Sequence, residues 1–278
     1  MAKTNAISLL AGTSTPATLA EIYGLVIENV RKVSLSQGRK SRSYTGNPAT
    51  GSVEYKRFAN SSSKAYGTAR TAGKGDKVTA PPTTVNLSTH KEIVEEIAKF
   101  DLETFGVNTI MQRRADNHVQ SMVTELDRAF FTAAVSAATA YTPASGVTAI
   151  EDILESMIQQ IETTKNDYID GVDRNLIEVD LSTAYYGKLR KYLDAQSNPN
   201  VDTAAEEFGM WHGVKIYSNT RLPSGTNILV SVQESVAQPC VVDQYSDPEK
   251  IQLSNDYAVS LFYDYGTAAL TPDLILKN

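Results

Sequence analysis

The chain has 278 residues, 41% of them apolar and 21% charged, with a net charge of −6 and one cysteine. This is an ordinary globular composition, and a chain of this length supports one large domain or two modest ones without staples. Disulfides are excluded because Cys240 has no partner. No apolar run reaches signal length or the roughly 20 residues of a membrane span, so an intracellular, reducing setting with no membrane partner is expected.

The net charge hides an asymmetry. Residues 1–77 carry 12 Lys and Arg against 4 Asp and Glu, a balance of +8, whereas residues 78–278 carry 14 against 28, a balance of −14. A basic segment on an acidic body suits nucleic-acid contact, or contact of one copy's front with another copy's body.

In chain order, Thr18-Leu19-Ala20-Glu21 is a capping box opening an amphipathic helix to about Arg31. Between Ser43 and Pro82 the only Val, Ile, Leu or Met residues are Val53 and Val78, so this stretch builds no core of its own. Its ends alternate like strands, at Val53 and Tyr55 and again at Val78, Ala80, Val85 and Leu87, which predicts a long two-stranded arm needing a surface to lie on. From Gly106 to Thr139 apolar residues recur every three or four positions without an internal Gly or Pro. That pattern predicts a helix about 45–50 Å long, against a radius of gyration of about 19 Å for a globule of this size, hence a flattened or elongated body.

A second capping box, Thr148-Ala149-Ile150-Glu151, precedes a helix to about Lys165 with Ile150, Ile153, Leu154, Met157, Ile158 and Ile161 on one face. Beyond Arg174 the elements shorten. Strands are predicted at 176–181, 213–217, 228–230 and 240–242, with a helix carrying Tyr185, Leu189 and Leu193 after the first. A longer strand alternates from Tyr257 to Tyr265, and Gly266 ends it before a last strand near Leu274-Ile275-Leu276. The class is α+β.

Chemistry is sparse. His90, His118 and His212 have no metal-type partner at helical spacing, and no Cys-x-x-Cys or His-Glu-x-x-His occurs. The glycines of 67–75 have neither P-loop nor dinucleotide spacing, and no Gly-x-Ser-x-Gly elbow is present. Acid pairs such as Glu95-Glu96 and Glu206-Glu207 read as solvated surface, and Cys240 as a buried thiol. No catalytic residue, metal or cofactor is expected. A coreless arm, opposite charges on the two parts of the chain and one elongated helix describe a subunit completed by its neighbours through heterologous contacts.

The order of parts carries a resemblance: an N-terminal helix, an extended loop, the strand Lys91-Glu92-Ile93-Val94-Glu95-Glu96-Ile97, a spine helix, a mixed domain and a closing strand. Phe208-Gly209-Met210-Trp211-His212-Gly213-Val214-Lys215-Ile216-Tyr217, the turn Arg221-Leu222-Pro223-Ser224-Gly225 and the ending Tyr265-Gly266-Thr267-Ala268-Ala269-Leu270-Thr271-Pro272-Asp273-Leu274-Ile275-Leu276 add to it. Over nearly its whole length the chain resembles the major capsid proteins of tailed bacteriophages with the Hong Kong 97 phage-type fold.

The resemblance implies an N-arm at 1–42, an E-loop at 43–88, a peripheral domain at 89–142 with the spine helix, an axial domain at 143–264, and a closing strand of the peripheral domain at 265–278. It further implies hexamers and pentamers closing an icosahedral shell around double-stranded DNA, in a virion capsid assembled in the host bacterial cytoplasm. A separate scaffolding protein and a portal would be partners, and DNA would be contacted without sequence preference. Tyr55, Arg57, Phe58, Lys64, Tyr66, Arg70, Lys74 and Lys77 are the expected inter-subunit contacts, the aromatics as anchors and the cations against acidic side chains of the adjacent copy. An encapsulin-like compartment has the same fold. A soluble hydrolase or ligand-binding protein with its site in 143–264 is the alternative of another class.

Overall fold

The computed structural model describes residues 28–68, 75–98, 107–195, 209–242, 249–254 and 256–278. A helical stretch at 28–33 is followed by β1 (Tyr44–Thr45), β2 (Ser52–Lys56), β3 (Pro82–Asn86), β4 (Thr89–Ile97), α1 (Val107–Ala137), β5 (Thr139–Ala140) and α2 (Ile150–Glu162). Next come β6 (Ile177–Leu181), α3 (Thr183–Asp194), β7 (Met210–Trp211), β8 (Val214–Ser218) and β9 (Ile228–Val232). β10 (Val236–Ala237), β11 (Cys240–Val242), β12 (Glu249–Lys250), β13 (Tyr257–Tyr265), β14 (Ala268–Ala269) and β15 (Ile275–Lys277) complete the chain. Most of the helix expected from Thr18, and the acid pair Glu206-Glu207, lie outside the described residues.

Turn chemistry makes the base of the arm. The Asn47 side chain accepts a hydrogen bond from the Ala49 amide at 3.1 Å, Pro48 starts a 3-10 turn, and Gly51 ends it in the left-handed region at φ +87°. The chain thereby reverses from β1 into β2, and β2 pairs antiparallel with β3, placing Val53 opposite Val85. Val53, Tyr55 and Val85 are buried against Ala237, with Ala268 and Leu270 beside them. The arm's root is therefore held on the body. β3 begins only at Pro82, so the extended run expected from Val78 is not paired as a strand.

α1 has 31 residues and spans about 46 Å. Met122, Leu126, Phe130 and Ala134, one turn apart, are buried along it with Val123 and Phe131. The mixed sheet runs β5-β15-β9-β6-β8-β7, with β5-β15 and β6-β8 parallel. Alternation along its strands sets the layers. Ile228, Val230 and Leu276 pack with Leu154, Ile158 and Leu189 of α2 and α3, whereas Leu229 and Ile275 meet Phe130, Phe131 and Ala134 of α1. All six apolar residues assigned to the face of α2 are buried. Its N-cap is Ala149, with no side-chain cap bond, so the expected Thr148 capping box does not form. The helix starts one residue later, and Glu151 and Asp152 complement its dipole instead.

A second sheet is built on β13. β4 pairs antiparallel with all nine of its residues, from Tyr257 opposite Ile97 to Tyr265 opposite Thr89, while β11 and β12 share its other edge. Strand pairing thus crosses the division expected at 264/265: β13 lies on β4, and β15 joins the mixed sheet through β9. Gly266, just beyond β13, lies against the backbone at the end of β3. A Cβ there would fall 2.0 Å from the Asn86 carbonyl oxygen at the end of β3. Gly266→Ala should destabilise the subunit by about 1–3 kcal/mol, the usual cost of overpacking, read as a lower denaturation midpoint in urea. An unchanged midpoint would remove the close approach.

Candidate assembly interface

The segment entering the arm is tied down by three buried carboxylates. Strand β6 reads Ile177-Glu178-Val179-Asp180-Leu181 and is buried throughout. Its apolar residues face α2 and α3, which turns Glu178 and Asp180 to the side occupied by α1 and residues 34–41. Arg39 crosses to them there. Its guanidinium donates to the Asp180 carboxylate in bidentate fashion at 2.9 and 2.7 Å, pairs with Glu178, and lies over the ring of Tyr217 at 5.1 Å. Burial alone would push the Arg39 guanidinium down, but Asp180 and then Glu178 hold it above its ordinary value. On α1, Asp127 accepts from the Ser34 and Ser36 hydroxyls at 2.5 and 2.6 Å, from the amides of Leu35 and Ser36, and from Arg221 at 2.9 Å.

The expected contact residues divide into three groups. Tyr55, Arg57 and Lys64 are engaged within their own chain. Tyr55 is a correction: alternation places it with Val53 on the face against Ala237, its ring packs on Tyr44 and its hydroxyl meets the Ser41 carbonyl, so it is not an anchor on another copy. Burial pushes its hydroxyl up to about 12. Arg57 donates to Asp273 through two bonds of 2.7 and 2.9 Å and lies 4.5 Å over the ring of Tyr168, and Lys64 pairs with Asp76 at 2.5 Å across the arm. Phe58, Tyr66 and Lys77 sit on exposed surface, Phe58 at 62% and Tyr66 at 91%. Val78, not singled out from the sequence, is 68% exposed. Arg70 and Lys74 lie outside the described residues.

Beyond Arg57 the arm docks on the 166–168 turn, where the Asn60 amide donates to the Asp167 carbonyl at 2.8 Å and Asn166 donates to Asp273 at 2.6 Å. Burial pushes the Asp273 carboxyl up, but the Arg57 guanidinium holds it below the usual carboxylate range. A carboxylate lowered by folding contributes stability that is complete above its unfolded value of about 3.9 and lost as pH falls through the lower folded value.

Two cavities flank α1. One, of about 970 Å³, opens between it and the β4–β13 sheet beside Thr124, Arg128 and Tyr265. Its Glu125 accepts from the hydroxyls of Tyr263 and Tyr265 at 2.6 and 3.1 Å and pairs with Lys91 at 3.0 Å. The other, of about 490 Å³, lies between residues 30–44 and β11. The histidines are dispersed: His90 pairs with Asp264, His118 is buried against Glu95, and His212 packs on Trp211. Among the described residues no group of three His, Cys, Asp or Glu is placed to hold a metal ion.

The phage capsid protein family matches residues 92–278, two-thirds of the chain and the part holding α1, both larger sheets and the C-terminus. The chain belongs to that family. As a capsid protein its role is structural, and its place is the virion capsid. Its fold is shared with the capsid of cyanophage P-SCSP1u (TM-score 0.64, 13% identity, 88% of this chain and 87% of that one). It is shared also with a structure from Mycobacterium phage Che8 (TM-score 0.59, 16% identity, 82% and 84% covered). A virus-like particle from Pyrococcus furiosus has the same fold at TM-score 0.56 and 12% identity, over 92% of this chain and 97% of that one. Among curated proteins none matches the sequence. The Hong Kong 97 phage-type fold expected from the order of parts is the fold of this capsid protein.

Two outcomes follow from this geometry. Arg39→Met leaves Glu178 and Asp180 buried without their cation and should cost the capsid protein about 3–5 kcal/mol in urea unfolding. Asp273→Asn should lower the protection of the Asn60 amide against hydrogen exchange at pH 6, and the protection of the unsubstituted chain should fall to that of the variant as the pH drops below about 3.9. A pH-independent difference would separate Asp273 from arm docking.

Proposed function

We propose that copies of this chain assemble as hexamers and pentamers into a closed icosahedral shell around the double-stranded DNA of a tailed phage, each arm lying on the adjacent copy. Membership of the capsid family over residues 92–278 carries this reading. The arm supports the mode of contact: Phe58, Tyr66 and Val78 stand exposed on it. Buried aromatic anchors hold an interface, while rim charges such as Lys77 tune its rate and salt dependence.

In that shell residues 1–42 are the N-arm and 43–88 the E-loop. The peripheral domain is 89–142 with the spine helix, and the axial domain follows from 143. The pairing of β13 with β4 and of β15 with β9 supports counting 257–265 with the peripheral domain and 275–277 with the axial sheet. Assembly takes place in the host bacterial cytoplasm with a separate scaffolding protein and a portal, DNA is contacted without sequence preference, and no catalysis is involved.

Electron microscopy of the purified protein, with light scattering across a salt series, should show uniform closed particles. A salt-insensitive monomer whose 43–82 segment is rigid and protease-resistant would overturn the reading. Particles from infected cells should contain double-stranded DNA, whereas an encapsulin-like compartment would contain protein cargo. The double variant Phe58→Ala, Tyr66→Ala should keep the native circular dichroism and assemble about tenfold more slowly. Normal assembly of that variant would remove the two aromatics from the interface.

A further inference from the structure

The 490 Å³ cavity between residues 30–44 and β11 has an unusual lining. Arg31, Lys40 and Arg42 face it, and among the described residues no Asp or Glu lines it. Three cations on one cavity wall repel one another and favour a negatively charged occupant. Arg31 and Arg42 are exposed and share their charge with water, but Lys40 is only 7% exposed.

A buried ammonium is costly unless it is paired and hydrogen-bonded. The acceptor placed for the Lys40 Nζ is the neutral Gln37 side chain at 3.1 Å, which leaves two of its three protons for another partner. The neighbouring groups do not serve. Asp127 is already bonded to residues 34–36 and Arg221, and burial pushes the Cys240 thiol up to about 11, so it stands there as a neutral group. Burial pushes Lys40 itself down to about 8, against the pull of Asp127 and with the push of Arg42.

The geometry points to a receptor for an acidic side chain of a second copy of this chain, whose carboxylate pairs with Lys40 between Arg31 and Arg42. The inference rests on the shell reading. Charge complementarity selects the partner: residues 78–278 carry 28 acidic residues against 14 basic ones, while the cavity is walled largely by the basic front of the chain. DNA is the weaker candidate. A phosphate fixed in a stiff duplex meets the exposed Arg31 and Arg42 but cannot follow the cavity inward to Lys40, which a flexible Asp or Glu side chain can do.

A zero-length carbodiimide cross-link tests this on unsubstituted shells assembled from mixed ordinary and heavy-nitrogen subunits. Lys32–Glu28, Lys64–Asp76 and Lys165–Asp170 touch within one chain and should give links of a single isotope. Lys40 should link to an Asp or Glu peptide in mixed-isotope pairs, in shells and not in unassembled subunits. Absence of that link while the controls form, or a Lys40 link of single isotope only, overturns the inference and leaves the shell reading standing. A Lys40 link that disappears while its amine becomes protected only in DNA-filled particles assigns the cavity to phosphate and also overturns it. Salt-insensitive monomers of the unsubstituted chain with a protease-resistant 43–82 segment are the failure of the shell reading itself. Lys40→Met should lower shell yield about tenfold with an unchanged thermal midpoint, as expected for loss of one charge-assisted contact. An undiminished yield counts against the receptor.

Discussion

A guanidinium buried among carboxylates ties this subunit together. Arg39 reaches Asp180 and Glu178 on β6 in the middle of the mixed sheet, and the same segment hangs from Asp127 on α1 through Ser34 and Ser36. Residues 34–41 are thereby held to the long helix and to the mixed sheet at once. A charge buried in that interior is costly unless it is paired, so Arg39 and the two carboxylates hold one another in place. Such a cluster tolerates one arrangement, because each missing partner leaves an unpaired charge. Asn219 donates to Asp180 and Gln233 to Glu178, which completes the pairing from the flanking strands.

That anchoring decides where the arm starts. Ser41 follows the Arg39 cluster, donates its amide to Val236, and leads into β1 over the hydroxyl of Tyr55. The root of the arm is consequently a piece of the body, with Val53, Tyr55 and Val85 against Ala237. Among the described residues its outer part is held by polar contacts, of Arg57 with Asp273 and of Asn60 with Asp167, and by Arg57 over the ring of Tyr168. Apolar burial at the root and polar docking further out make a graded attachment. Exposed polar contacts are individually weak and exchange readily for others. A segment of this kind leaves its own body more easily than its root does, which suits the proposed contact of its exposed aromatic residues with a neighbour.

Charge works on two scales. Across the chain the +8 of the first 77 residues opposes the −14 of the rest, a long-range bias that favours the proposed front-to-body contact of copies. Inside the fold individual charges are matched locally, as by the bidentate contact of Arg174 with Glu155. The cavity holding Lys40 departs from this, and it lies where the basic front meets the body.

Much of the architecture was legible in one dimension. The spacing of Ile150 to Ile161 named every buried residue of α2, the uninterrupted apolar recurrence gave α1 nearly to its ends, and alternation at Val214 and Ile216 marked β8. These signals are local, since burial of one face writes a period into the sequence. The order of elements was enough to point to the capsid fold. Long-range pairings carry no such period: nothing local says that β4 lies on β13, that β15 enters the mixed sheet, or that Arg39 meets an acid 141 positions away. The acids of Ile177-Glu178-Val179-Asp180-Leu181 were a readable sign that a buried cation was needed, without saying which. Tyr55 shows the same limit, because its alternation with Val53 gives a face but not what covers that face. Period is set by neighbours in the chain, whereas partners are chosen by the whole packed molecule, and only the tertiary structure makes that choice.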